Sequence, residues 1–441
     1  MKKWYVLLAF VGLLAASCDE LMMGGEENPN APIKFADASV KNICVNHWDI
    51  DGDGELSYEE AALVENLEHW FIATSITSFD ELKYFKGLRY LNSTFHECGQ
   101  LQHVTLPENL ERLEYGAFAR CVSLKQIDIP ESVETIDGGA FIGCDSLETF
   151  TGKCASEDGR CLILDDVFVA VASSGLTEYT IPSGIRVIAS NAFAYSSMNS
   201  IVIPEGVEVI MSNAFQAAIG LTSITIPESM ACIEEMAFNG CSNMASFVGK
   251  YASEDGRSLI VDGTLIAFAP VQMTHYDIPE GVTRIGGGVF YNLPLLSVTI
   301  PVGVTSIGGN AFGLCLGLTQ VSLPGSVEEI ADGAFQCCIN LEQIDLGEGL
   351  KVLGNWVFNQ CEKLISVTIP ASVTVLGDML FCYCTHLSRL ECMPVVPPTI
   401  AGSLLFTEET PQIIVPESSI EAYMSAEVWS QYGVYITASG M

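Results

Sequence analysis

The chain has 441 residues, 49% of them apolar and only 17% charged, against about 25% charged in an average soluble domain. With 19 Lys and Arg against 54 Asp and Glu, a formal net charge of −35, it cannot neutralise phosphates, which excludes nucleic acid as a partner and disfavours an anionic membrane surface. The longest uninterrupted apolar run, Trp4 to Ala16, is 13 residues, short of the roughly 20 a membrane-spanning helix needs. The hydrophobicity must therefore be spread over many short segments that bury one another, as in a repeat array or a protein of many strands.

The N-terminus has the layout of an export leader: Lys2 and Lys3, then the apolar run, then the small residues Ala15, Ala16 and Ser17 before Cys18. It resembles a bacterial lipoprotein signal, which implies that residues 1–17 are removed and that Cys18 becomes the lipid attachment site. One departure is that Leu14 lies four residues before the cysteine, where the family prefers Leu three before it. Asp19 and Glu20 resemble surface-export signals of some double-membraned bacteria, so the expected location is the outer membrane, facing outward. Residues 18–32, with Gly24, Gly25, Pro29 and Pro32, read as a flexible tether.

Residues 49 to 60 fit a twelve-residue EF-hand calcium loop. Asp49, Asp51 and Asp53 supply carboxylates at positions 1, 3 and 5, and Gly54 makes the sharp turn at position 6. Glu55 would offer its backbone carbonyl, Ser57 would act through a water, and Glu60 would close the site bidentately. Apolar residues recur at helical spacing on both flanks, Val40, Ile43 and Cys44 before the loop and Leu63, Leu67 and Trp70 after it. Ser57 and Glu60 also form a capping box for the exiting helix. Leu56 sits where an EF-hand loop pairs with a second loop, and the sequence contains no second loop. Residues 33–75 are thus expected to be either a structural cap, with Leu67, Trp70 and Phe71 seated on the next domain, or half of a dockerin-like module.

From Asn92 onward a phenylalanine recurs with a fixed period: Phe95, Phe118, Phe141, Phe193, Phe215, Phe238, Phe290, Phe312, Phe335, Phe358 and Phe381. The intervals are 22 or 23 residues except for two of 52. Between the phenylalanines lie alternating runs that end in proline, such as Ile127-Asp128-Ile129-Pro130, so one face points in and one out. A short strand per repeat in the low twenties is the mark of a leucine-rich-repeat solenoid. The unit Leu-x-x-Ile-x-Ile-Pro-x-x-Val-x-x-Ile-x-x-x-Ala-Phe-x-x-Cys, nearly whole at Leu124 to Cys144, resembles the BspA-type repeats of bacterial surface proteins. That resemblance covers about 300 residues and implies a right-handed, β-rich solenoid over residues 76–392. It also implies a binding or adhesive role toward host matrix proteins or other cells, and it transfers no catalytic residue.

The two long intervals are duplicates shifted by 97 residues: Phe150 to Ile163 recurs as Phe247 to Ile260, each with an Ala-Ser-Glu-Asp-Gly-Arg segment. The inserts, at about 150–175 and 247–272, read either as strand-turn-strand excursions that protrude from one edge and carry recognition around Glu157 and Glu254 or as irregular coils that close back on the stack. Cys154 and Cys161 become Tyr251 and Ser258 in the copy, and because both change together they are a candidate disulfide. Residues 393–441 leave the repeat, and Ile420, Tyr423, Trp429, Tyr432 and Ile436 are expected to cap the last coil.

Eight cysteines share one repeat position, which other coils fill with Ser196, Ala218 and Leu293; a metal ligand is not exchanged for Leu, so these are read as buried packing thiols. The outward strand face, for example His275, Asp277, Ser297, Thr299, Gln320 and Gln343, is short-chained, polar and mildly acidic. Glu108, Glu131, Glu205, Glu228, Glu280 and Glu348 form an acidic stripe after the coil turn. No Gly-x-Ser-x-Gly, phosphate loop or His-Glu-x-x-His occurs, so no enzyme is expected. The expected function is a cell-surface binding or adhesion scaffold for a protein or glycan on another cell or host matrix, with structural calcium. The alternative is a calcium-dependent docking subunit of a surface assembly.

Overall fold

The computed structural model describes residues 28–402, 405–406 and 410–439; the leader and Cys18 lie outside them. No helix among the described residues is long and apolar enough to cross a membrane. Among the described residues, helices α1 (Ala38–Trp48) and α2 (Tyr58–Leu63) precede a solenoid in which each regular coil contributes one longer and one two-residue strand. The longer strands pair in parallel with the equivalent strand one period on, as Gln126 with Thr149, Ser223 with Ser246 and Ser366 with Arg389. The two-residue strands do the same: Arg112–Leu113 pairs with Thr135–Ile136, and Ser306–Ile307 with Glu329–Ile330. Proline ends the longer strand because it has no N–H to give to a ladder. Its carbonyl then closes the turn by accepting the N–H three residues on, as in Val133 to Pro130 and Val373 to Pro370.

Parallel stacking puts identical positions of successive coils above one another, and the core follows from that. The recurring phenylalanines form a spine of nearly parallel rings with centroids 4.8 to 5.8 Å apart within each run. The spine is longer than its repeat pattern suggested. Phe168 opens the parallel run after the first insert and Phe406 stacks beyond Phe381, while Phe71 before Phe95 and Phe268 before Phe290 extend the column as tilted rings, at 48° and 56°. Residues two places after the spine phenylalanines, among them Glu97, Arg120, Leu314 and Gln360, are left-handed at φ near +60°, where Gly143 and Gly240 stand in other coils. The strain, roughly 1 kcal/mol per L-residue, is held because each of these four N–H groups reaches a carbonyl of the next coil at 2.7 to 2.8 Å.

All eight periodic cysteines are buried and reduced. Each thiol donates to the carbonyl of a phenylalanine one coil back, from Cys98 to Phe71 at 2.9 Å through Cys384 to Phe358 at 3.0 Å. Burial pushes these thiols above their ordinary titration range, to about 12 for Cys241 and Cys315. They are therefore poor nucleophiles and behave as small packing donors.

The inserts do not protrude. Cys161–Leu164 and Val167–Val171 form an antiparallel hairpin whose second strand joins the two-residue ladder by pairing in parallel with Val187–Ile188. Ser258–Val261 and Thr264–Phe268 repeat the arrangement against Arg284–Ile285. Leu162, Phe168, Leu259 and Leu265 are fully buried, so the hairpin's apolar faces belong to the stack rather than to solvent. The Ser-Glu-Asp-Gly turn folds back on the preceding strand: the Phe150 N–H donates to the Gly159 carbonyl at 2.7 Å. Arg160 ties the turn to the carbonyls of Ala172 and Ser174.

Register also separates the proposed disulfide partners. Ala155 bridges Leu162, which sets Cys154 opposite Ile163 and Cys161 opposite Ser156. The cysteines are two rungs apart, and both are free thiols. Two rungs of roughly 3.4 Å each along the strand, combined with a strand spacing of about 4.8 Å, give a Cα separation of about 8 Å, beyond what a relaxed disulfide tolerates. The exchange of Cys161 for Ser258 has another origin. In the second insert the buried Tyr276 hydroxyl donates to Ser258 at 3.0 Å, whereas the equivalent Tyr179 hydroxyl lacks an oxygen or nitrogen partner and has Cys161 beside it. Cys161→Ser should supply that acceptor and raise stability by about 0.5 to 1.5 kcal/mol, read as a higher unfolding midpoint. A lowered midpoint would refute this pairing.

Candidate functional site

The loop between α1 and α2 is built by its own carboxylates. Asp49 accepts the N–H of Gly52 at 2.7 Å and of Gly54 at 2.8 Å, Asp51 that of Asp53 at 3.1 Å, and Asp53 that of Glu55 at 2.8 Å. Gly52 and Gly54 take positive φ of 74° and 87°, the conformations that wrap the chain around its centre. Carboxylate oxygens of Asp49, Asp51 and Asp53 converge within 4.8 Å of one another. The Asp53 N–H bond acts to lower Asp51, but desolvation and the negative charges of Asp53, Glu60 and Asp49 together hold it above the ordinary value. Three carboxylates that repel one another around a common centre fit a hard divalent cation.

Glu60 lies beside this trio and outside the converging set. One of its oxygens accepts the N–H of Ile50 at 2.7 Å and of Asp51 at 3.3 Å, and the other the N–H and hydroxyl of Ser57, both at 2.8 Å. Burial acts to raise its pKa, and those donors hold it below the usual range instead. Glu60 is thus both a capping-box residue and the tie between the two ends of the loop. The Glu55 side chain pairs with Lys41 at 2.6 Å and is turned away to α1.

The missing second loop is replaced from within the chain. Ile33 donates to Leu56 at 2.8 Å, Tyr58 to Ala31 at 3.2 Å and Glu59 to Pro29 at 2.8 Å, so residues 29–33 run beside the loop's short strand and Leu56 is completely buried. No pattern in the proline-containing segment 29–33 announced this role. The helix after the loop is shorter than its apolar spacing suggested: α2 ends at Leu63, which is 64% exposed. The chain then turns so that Val64, Leu67 and Phe71 face the solenoid, while Trp70 stays outside, stacked on His47 at 3.8 Å. The Asp37 carboxylate joins unit and solenoid, one oxygen capping α1 through Ser39 and Val40 and the other accepting both the N–H and hydroxyl of Thr77. Glu81 adds a bond to the Ala36 N–H at 2.8 Å.

The outward strand face is partly paired along the stack. Thr105 donates to Asp80, Thr151 to Asp128 and Ser322 to Asp345. His275 bonds Ser297 at 2.7 Å and Asp277 at 3.0 Å beside an open groove of about 690 Å³ that Gln320, Gln343 and Asp345 also line. Serine, histidine and aspartate in contact are the residue types of a hydrolytic triad, but the pattern stops there. Asp277 is 73% exposed. The Ser297 N–H is committed to the Thr274 carbonyl and the neighbouring strand N–H groups to the ladder, so no oxyanion donor is aimed at the serine.

The BspA type leucine rich repeat region matches this chain in six copies, over residues 67–157, 165–253 and 266–388, more than half of its length. The match begins at 67, earlier than the repeat was legible, in agreement with Phe71 already accepting the first thiol of the ladder. Among solved structures, the pneumococcal vaccine antigen PcpA is similar at 19% identity, covering 75% of this chain and 83% of its own, with a TM-score of 0.51. A leucine rich cell surface protein from Faecalibacterium prausnitzii matches at 23% identity over 82% and 86%, TM-score 0.45. A leucine-rich repeat protein from Bacteroides ovatus matches at 22% over 80% and 82%, TM-score 0.41. No curated protein matches the sequence. The repeat unit, the parallel coil ladder and the thiol-to-carbonyl spine together make this chain a member of the BspA-type leucine-rich-repeat family.

Proposed function

We propose that the protein is a cell-surface binding scaffold, exported and held by a lipid at Cys18, that recognises a protein or glycan partner on another cell or host matrix. The observation that carries this reading is the groove on the strand face beside His275, where the exposed Gln320 and Gln343 amides sit on a rigid stack. The inserts are a weaker candidate, because their exposed residues are confined to turns, among them those around Glu157, Asp165, Glu254 and Asp262, and to the strand ends at Thr151 and Val248. Supporting the cap role for residues 33–75, over a separate docking module, are the Asp37 tie to Thr77, the Glu81 tie to Ala36 and the buried aromatic contacts of Phe71 with Phe79 and Phe95.

Binding of the lipid-free chain from Asp19 onward to a panel of matrix proteins and glycans tests the scaffold reading. The double variant Gln320→Ala, Gln343→Ala should weaken the bound partner roughly tenfold or more if these amides are central contacts. Unchanged affinity would remove the strand face from the recognition surface.

Calcium is proposed as a structural ion of the 49–60 loop, with Asp49, Asp51 and Asp53 as its side-chain ligands, the Glu55 carbonyl and a Ser57-bound water as further oxygens, and Glu60 closing the loop. At about 2 mM free calcium and a dissociation constant near 0.1 mM, binding stabilises the unit by about 1.8 kcal/mol. Asp51→Asn is the cleaner variant, because Glu60→Gln also disturbs the capping box. Hydrogen exchange should show residues 35–79 losing protection on chelation or in Asp51→Asn, with coils beyond Phe118 unchanged. Calorimetry that finds the same calcium affinity in Asp51→Asn as in wild type would overturn the assignment.

A further inference from the structure

The solenoid repeats its surface, so a feature that occurs once has to be made where non-repeating segments meet. An open groove of about 1140 Å³ lies at such a junction, walled by the strand segment at Pro29, the start of α2, the turn Asp80–Tyr84 with Lys86, and Glu108–Asn109 of the first coil. Its floor holds two half-buried rings, Tyr58 and Tyr84, edge to face with centroids 4.7 Å apart. The Lys83 ammonium stands over the Tyr84 ring at 5.1 Å, and Lys86 projects from the same wall. In a chain with so few cations, many of the described Lys and Arg are spent on acids or on backbone carbonyls. Neither Lys83 nor Lys86 has an ion-pair partner among the described residues, and neither does Glu59 or Glu108 on the opposite walls. Four charges of both signs thus line one groove without neutralising one another.

We infer that this groove is a binding site for an acidic sugar, a uronate-type residue within an oligosaccharide. The inference rests on the surface-binding reading above and names a ligand class and a second site for it. An acidic sugar brings one carboxylate, several hydroxyls and an apolar C–H face, and each finds its complement here. The ammonium groups of Lys83 and Lys86 meet the carboxylate. Glu59 and Glu108 accept from hydroxyls, and the tyrosine rings cover the C–H face. A neutral sugar leaves the lysines unused. An acidic peptide brings carboxylates for the lysines but no sugar C–H face to lie on the tyrosine rings. The groove volume, just above the roughly 300 to 1,000 Å³ of small-ligand sites, suits a short oligosaccharide rather than a single ring.

The test uses the chain from Asp19 onward with calcium present throughout, titrated by calorimetry with trigalacturonate, with neutral maltotriose and with a hexaglutamate peptide. Trigalacturonate should bind, and the double variant Lys83→Ala, Lys86→Ala should weaken it roughly tenfold or more, as loss of charge-assisted contacts implies. Lys86→Arg keeps the charge and should retain most of the affinity. Tyr58→Leu should weaken trigalacturonate while leaving the circular dichroism spectrum unchanged. Equal binding of maltotriose, tighter binding of hexaglutamate, or affinity untouched by the double lysine variant would each overturn the inference. If trigalacturonate fails to bind while the same protein still captures a matrix protein or another glycan, the groove assignment falls and the scaffold reading stands.

Discussion

Every part of this molecule answers to the spacing of a parallel β-ladder. Coils that pair in register lie about 4.8 Å apart, so whatever a coil buries sits directly on the equivalent position of its neighbour. A planar ring tolerates that condition, and the phenylalanine spine runs with centroids 4.8 to 5.8 Å apart. The thiol position shows how strict it is. The phenylalanine carbonyl already accepts an N–H from its own turn, as Phe118 does from Cys121. Its remaining lone pair faces the coil above, where a small weak donor fits and a larger polar group would need space that stacking denies.

A stack of this kind leaves two open ends, and the two are closed by different means. At the C-terminus, Tyr423 and Trp429 pack edge to face at 5.0 Å and donate to the carbonyls of Pro394 and Pro398, which the proline-rich turn cannot satisfy within itself. Tyr432 caps the spine edge-on to Phe406, and its hydroxyl takes the Leu405 N–H. At the N-terminus the calcium-type loop and its helices serve as the lid. Because residues 29–33 pair with the loop's strand, the segment next to the proposed lipid tether, the loop and the first coil are mechanically continuous. Ordering the loop with an ion would therefore brace the junction that carries the Tyr58 and Tyr84 groove, since Tyr58 and Glu59 are themselves loop residues.

The inserts interrupt the stack without leaving it. Each divides the apolar core into successive runs, the phenylalanine before it turning edge-on, as Phe141 does to Phe150, and a new parallel run starting at Phe168. The edge-on turn recurs 97 residues later between Phe238 and Phe247, and although Leu265 stands there in place of Phe168 and Phe268 packs tilted on Phe290, the matching hairpin register indicates duplication of a complete structural block. Folded into the stack in this way, the inserts leave the strand face and the N-terminal groove as the proposed recognition surfaces.

The amino-acid sequence by itself determined whatever depends on contacts one period apart. The solenoid class, the inward phenylalanines, the packing role of the cysteines and the position of the Asp49, Asp51 and Asp53 loop were all legible, because each is encoded by residues at fixed short offsets. Tertiary structure decided what depends on the path between unlike segments. Whether the hairpin at 161–171 protrudes turned on the burial of Leu162 and Phe168, and whether Cys154 meets Cys161 turned on a register two rungs out. That Ile33 would replace a second loop beside Leu56 could not be read from a segment without periodicity. The same holds for the Tyr58, Tyr84, Lys83 and Lys86 groove: its residues come from separate non-repeating segments, and only the seating of the helical unit on the first coil brings them to one surface.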